Sequence, residues 1–212
     1  MNAEQYLADP CGASSLPFWK TEQFAVPEGI CICRDDDFFT QSVEGVDEPY
    51  FKLMHDLRQV RRTMLPAGFR LVSAGVADFA RHINSCYGAE GVSEAELLAY
   101  RRRQTYNPAL WLAVADTGNG ALAATGIGEL DARIGELDAR IGEGILEWIQ
   151  VSPAYRRRGL GRFLVCELLR RMQGRAQFAT VSGRANNPDM PYALYTGCGF
   201  KNPVIWHVVR TK

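Results

Sequence analysis

The stretch from Ile145 to Met172 constrains this chain more than any other. Ile145-Leu146-Glu147-Trp148-Ile149-Gln150-Val151 is a run of apolar and β-compatible residues and reads as a strand. Beyond Pro153 the period changes. Leu160, Phe163, Leu164, Leu168 and Met172 lie on one helical stripe, which Gly174 closes. Between strand and helix sits Arg156-Arg157-Arg158-Gly159-Leu160-Gly161. Backbone N–H groups at a helix N-terminus are unpaired and carry positive partial charge, so this turn suits a phosphate. Gly159 and Gly161 remove the side chains that would hold a pyrophosphate off the backbone, and the arginines add charge-assisted hydrogen bonds. The spacing is neither the G-x-x-x-x-G-K-[ST] of a P-loop nor a full G-x-G-x-x-G. Taken alone, the turn reads equally as a helix cap beside a solvated basic cluster.

The neighbouring patterns predict where this unit sits. Phe69 to Ser73 reads as a strand, and Val76, Phe79, Ala80, Ile83 and Tyr87 recur at helical spacing. Ser93-x-x-Glu96 is a capping box that opens a second helix. Leu110 to Ala115 and Ala121 to Ile127 are strands joined by Thr117-Gly118-Asn119-Gly120. Phe178 to Ser182 is a strand, Pro191 to Cys198 a short helix, and Val204 to Val209 a final strand. That order predicts an α/β protein with a central mixed β-sheet flanked by helices. Residues 63–212 read as this domain, and 1–62 as an N-terminal extension or small lobe. In that first part Ile30 to Cys33 and Tyr50 to Leu57 read as strands, and Asp35-Asp36-Asp37 as a solvated loop.

A duplication interrupts the pattern. Ile127-Gly128-Glu129-Leu130-Asp131-Ala132-Arg133 recurs letter for letter as residues 134–140, and Ile141-Gly142-Glu143 begins a third copy, so the repeat spans residues 127–143. Ile127, Leu130, Ile134, Leu137 and Ile141 have heptad spacing, but a glycine in each copy disfavours a helix by about 1 kcal/mol each. As a strand, a seven-residue step turns the second copy to the opposite face. One copy is expected in a hairpin and the other as an excursion at its tip.

Composition narrows the function. The 212 residues carry 24 basic and 24 acidic side chains, which argues against a broad nucleic-acid surface. No run approaches the ~18 apolar residues of a membrane span, and the N-terminus lacks the features of a signal peptide. The six cysteines are scattered and the three histidines show no ligand spacing. The expectation is a reduced, cytoplasmic protein with no metal, no nucleic-acid partner and no membrane partner.

Two motifs in the correct order add a resemblance. Arg156-x-x-Gly159-x-Gly161 is similar to the R/Q-x-x-G-x-G/A signature of GNAT-type N-acetyltransferases. Ala193-Leu194-Tyr195-Thr196-Gly197-Cys198-Gly199-Phe200 resembles that superfamily's A-x-x-L-Y-x-x-x-G-F segment, compressed at the alanine. The resemblance covers about two-thirds of the chain. It implies the acyl-CoA N-acyltransferase fold, acetyl-CoA as donor, and a primary amine of a small molecule or peptide as acceptor. A homodimer is common in such enzymes. By position, Ile149 and Val151 would pair with the pantetheine arm, and Arg156, Arg158, Gly159, Gly161 and Arg162 would surround the pyrophosphate. Asn187, or Asn186 in its place, would bond the pantetheine, and Tyr195 would be the general acid. Glu147 is the candidate base. Plain alternation puts it on the face of Ile149 and Val151, although the family's frequent glutamate falls two residues earlier, where this chain has Ile145. Trp19, the run at Asp35 and the helix from Ser93 are candidate acceptor-side elements. An acyl-CoA sensor without a working base is the rival reading.

Overall fold

A computed structural model describes residues 1–21, 23–41, 43–87, 91–131 and 141–211. Its strands are β1 (Ile30–Arg34), β2 (Val46–His55), β3 (Phe69–Val72), β4 (Trp111–Asp116), β5 (Leu122–Asp131), β6 (Glu143–Val151), β7 (Phe178–Arg184) and β8 (Lys201–Arg210). The helices are α1 (Ala3–Ala8), α2 (Phe18–Thr21), α3 (Asp35–Gln41), α4 (Val76–Cys86), α5 (Glu94–Tyr100), α6 (Leu160–Met172) and α7 (Pro191–Gly197). One mixed sheet carries the strands in the order β1-β8-β2-β7-β6-β5-β4-β3, with β6 and β7 parallel and the other pairs antiparallel. Among the described residues, no helix is long and apolar enough to cross a membrane.

Helices cover both faces of the sheet. Leu160, Phe163, Leu164, Leu168 and Met172 of α6 pack with Leu112, Val114 and Leu146. Phe79 and Ile83 of α4 and Leu97 of α5 pack with Ala113 and Ile127. Alternate residues of β4 thus divide between the two cores, as a pleated strand requires. The capping box at Ser93 forms as the pattern predicts, with Glu96 N donating to Ser93 Oγ at 3.2 Å and Ser93 N donating to Glu96 Oε2 at 2.7 Å.

Residues 1–62 do not hang beside this sheet as an appended lobe. They supply two of its strands, β2 inserted between β7 and β8, and β1 on the outer edge of β8. The local pattern marks the strands but carries no sign of partners more than a hundred residues away. A buried polar network then ties down the segment before β1. Glu143 is wholly buried and accepts from Tyr6 Oη at 2.9 Å, Phe18 N at 3.0 Å and Thr180 Oγ1. Lys52 Nζ, equally enclosed, donates to Tyr6 Oη, Ser14 O and Leu16 O, each at 2.9 Å.

The acidic run at Asp35 is not a solvated loop. It forms the first turn of α3, where carboxylates complement the positive helix end. Asp35 and Asp47 both bond His207, at 2.9 Å to Nε2 and Nδ1, and Phe38 stacks on the same ring. Burial disfavours the charged imidazole, but the two carboxylate bonds outweigh it and raise the His207 pKa. A raised folded-state value means the contribution is complete below the unfolded pKa of ~6.5 and fades as pH climbs through the raised value. The protection of α3 amides, corrected for the intrinsic rise of exchange with pH, should therefore fall across that interval, and His207→Gln should remove that fall. Corrected protection that stays constant in the native chain would contradict this.

Of the duplication, residues 127–131 of the first copy lie in β5, and Glu143 of the third opens β6. The second copy, residues 134–140, lies outside the described residues, as does the expected excursion at the hairpin tip.

Candidate active site

The two parallel strands at the centre of the sheet part company. Pairing of β6 with β7 runs from Glu143–Phe178 to Leu146–Val181 and stops there, while β6 continues to Val151 and β7 to Arg184. Each diverging arm is held from its far side. Ile149, Gln150 and Val151 pair with Gly126, Thr125 and Ala124 of β5, and Ser182, Gly183 and Arg184 pair with Lys52, Phe51 and Tyr50 of β2. The result is a wedge whose β6 wall pairs with no strand on its β7 side beyond Leu146; there Ile149 O accepts from Tyr87 Oη at 3.4 Å and Val151 O from Arg156 Nε at 3.3 Å. Five residues, 147–151, line that wall, about 16 Å of strand.

A bulge lies at the vertex. Gly126 pairs with Ile149 and Gly128 with Leu146, so Ile127 alone faces both Glu147 and Trp148. The extra residue resets the alternation. Leu146, Ile149 and Val151 all pack toward the α6 core, whereas Trp148 packs toward α4 and meets Tyr87 edge to face with ring centres 5.5 Å apart. Glu147 turns to that second side as well, where Lys20 Nζ meets its Oε1 at 2.6 Å. The expectation that Glu147 shares a face with Ile149 and Val151 therefore fails, because plain alternation does not survive an inserted residue.

The arginine-glycine turn stands at the wide end of the wedge. Gly159 caps α6 with φ of 86°, a conformation that penalises any side chain, and a Cβ on Gly161 would lie 3.2 Å from Leu194 of α7. Arg156 braces the turn rather than reaching outward: its Nε donates to Val151 O at 3.3 Å and its Nη1 to Asp189 Oδ1 at 2.6 Å. Arg158 lies over the Tyr155 ring, and Arg162 is exposed on the first turn of α6. Asn187 Oδ1 accepts from Asp189 N at 2.9 Å, so it shapes its own loop beside Arg156.

Tyr195 projects from α7 and is 5% exposed, packed between Phe51 and Phe200. Burial first, then the nearby Tyr87, Cys198 and Glu147, push its pKa well above the usual phenol range. It remains a protonated donor at neutral pH.

Residues 107–202 match the family profile described as the acetyltransferase (GNAT) domain. Over that stretch, just under half of its length, the chain is similar to the GNAT acetyltransferase domain. Solved structures share its fold. A GCN5-related N-acetyltransferase from Sphaerobacter thermophilus aligns with TM-score 0.60 at 17% identity, covering 91% of this chain and 64% of its own. A Drosophila melanogaster protein gives 0.61 at 20% identity, with 92% and 67% covered. A GNAT-family protein from Novosphingobium aromaticivorans gives 0.54 at 14%, with 89% and 70% covered. The chain thus spans about two thirds of the length of these structures. No curated protein matches the sequence.

One group of residues near the vertex went unread in the sequence. Glu129 of β5, 2% exposed, accepts from Arg103 Nη1 at 2.7 Å. Arg103 stacks on Tyr100, the last residue of α5, at 3.3 Å and lies 5.1 Å from the Trp19 ring. Burial and the neighbouring Glu147 raise the Glu129 pKa against the pull of Lys20 and Arg103. Trp19 and the helix from Ser93 therefore do converge near the vertex, and the acidic run at Asp35 does not. Lys20 had no signal beyond its position after Trp19.

Proposed function

We propose that this chain transfers an acetyl group from acetyl-CoA to a primary amine by direct attack. The observation that carries this reading is the wedge between β6 and β7, with the Gly159–Gly161 helix start at its mouth and Glu147 at its vertex. A donor whose pyrophosphate rests on the start of α6 would lay its pantetheine along the β6 edge at Ile149 and Val151. Its thioester would then reach Glu147, since the β6 wall is about 16 Å long. Arg158 and Arg162 would add charge at the pyrophosphate, Arg156 would fix the turn, and Asn187 would fix the loop beside it.

In the proposed step, the acceptor's ammonium gives a proton to Glu147 and its nitrogen bonds the acetyl carbon. Main-chain N–H groups of that edge would stabilise the oxyanion. The C–S bond breaks, the thiolate takes the proton of Tyr195, the second nitrogen proton restores Tyr195 through solvent, and Glu147 releases its proton to solvent. Thiol release from acetyl-CoA across a panel of amines tests the reaction. Glu147→Gln should lower kcat by about 10²-fold and alter the pH–rate profile while donor affinity holds. Unchanged turnover would remove Glu147 as base. Coenzyme A binding with no thiol release from any amine would favour the sensor reading instead.

A further inference from the structure

Two buried or half-buried carboxylates, Glu129 and Glu147, lie near the vertex, and the chain's own N-terminal segment supplies an ammonium to Glu147. Arg103 neutralises Glu129 through Oε1, while Glu129 Oε2 is buried and has no hydrogen-bond partner among the described residues. Lys20 Nζ, 2.6 Å from Glu147 Oε1, neutralises the second carboxylate and also feels the charge of Glu129. The Lys20 side chain is 17% exposed and its ammonium lies 5.4 Å from the Trp19 ring centre. Both residues ride on α2, a four-residue helix that belongs to none of the strands that build the wedge. With Lys20 withdrawn, two carboxylates and one guanidinium would remain, a poorly solvated site short by one positive charge. Such a site takes a single cation on an aliphatic stem.

We propose that Lys20 Nζ marks the acceptor-amine subsite, and that the acceptor is a primary alkylammonium like a lysine side chain, which displaces Lys20 in order to react. The inference rests on the donor reading above, which brings the thioester to Glu147. An α-amino acid suits the site poorly, because its own carboxylate sits on the carbon next to the amine, against Glu129 and Glu147. An internal occupant also lowers the fraction of molecules open to the acceptor, and so weakens apparent acceptor affinity by that fraction.

The test compares Nα-acetyllysine methylamide with glycine as acceptors for the full chain, its Lys20→Met variant and its Lys20→Arg variant. The expected result is a preference for the lysine analogue in all three. Its kcat/KM should rise about 10-fold in Lys20→Met and not in Lys20→Arg, which keeps the ion pair. Acetyl found on Lys20 by peptide mass mapping, after incubation with donor alone, would also support the subsite. Equal efficiency with glycine, or a folded Lys20→Met chain with unchanged kcat/KM for the analogue, would overturn it. If Lys20→Met melts early, the wild-type preference alone decides. Coenzyme A titration separates the two readings: a chain that does not bind it loses both, and one that binds it and acetylates glycine equally well loses only the subsite.

Discussion

Tyr195→Phe should lower kcat by about 10²-fold and leave the dissociation constant for coenzyme A within about twofold of the native value. The argument runs from burial to chemistry. Enclosed by Phe51 and Phe200, the phenol pays a desolvation penalty on ionising, and the neighbouring Tyr87, Cys198 and Glu147 add to it. A group held protonated this firmly is a poor base and a reliable donor, as a departing thiolate requires. The substitution removes one oxygen and nearly conserves volume, so α7 should keep its place against α6. Donor contacts along β6 and at the Gly159 turn should be untouched. Stopped-time thiol assays with a parallel coenzyme A titration check both halves. If kcat survives, the proton reaches the thiolate from elsewhere; if affinity collapses with it, Tyr195 is part of the donor pocket's packing.

The contrast between Tyr195 and Glu147 shows what the sequence could tell. Period and punctuation placed the strands and helices from Phe69 onward within a few residues, because alternation and helical stripes are local signals. The link between the glycine turn and Tyr195 came instead from the resemblance of their two motifs. The bulge at Glu147–Trp148 was illegible, since nothing in Leu146-Glu147-Trp148-Ile149 distinguishes an inserted residue from a continuous strand. The insertion of β2 between β7 and β8 was hidden for a different reason: it is a long-range choice of partner. The duplication was legible as a repeat but not in its contacts: its first Ile-Gly-Glu supplies Glu129 and its third Glu143, both among the most buried carboxylates of the described residues.

Glu143→Ala should cost about 3–5 kcal/mol, or roughly 10 °C in Tm at the ~2–4 °C per kcal/mol expected for this chain length. Three donors lose their acceptor at once: Tyr6 Oη, Thr180 Oγ1 and the Phe18 amide. Lys52 also loses its counter-ion. Burial already depresses the Lys52 pKa to about 8, against the opposing pull of Glu143, so its ammonium is the more precarious without that carboxylate. Lys52→Met should be milder, because Glu143 would keep three donors and lose only a charge partner. The order of damage is therefore Glu143→Ala above Lys52→Met, read by thermal melts of both variants. A Glu143→Ala chain that melts within about 2 °C of the native protein would mean that the network carries little of the fold. The consequence extends to the vertex. Tyr6 and Phe18 are among the contacts through which the segment bearing α2 grips the sheet, so losing Glu143 should loosen the helix that delivers Lys20 to Glu147. The stability of the N-terminal segment and the occupancy of the acceptor side then vary together, and amide exchange at Trp19 and Lys20 should accelerate in Glu143→Ala well below its melting temperature.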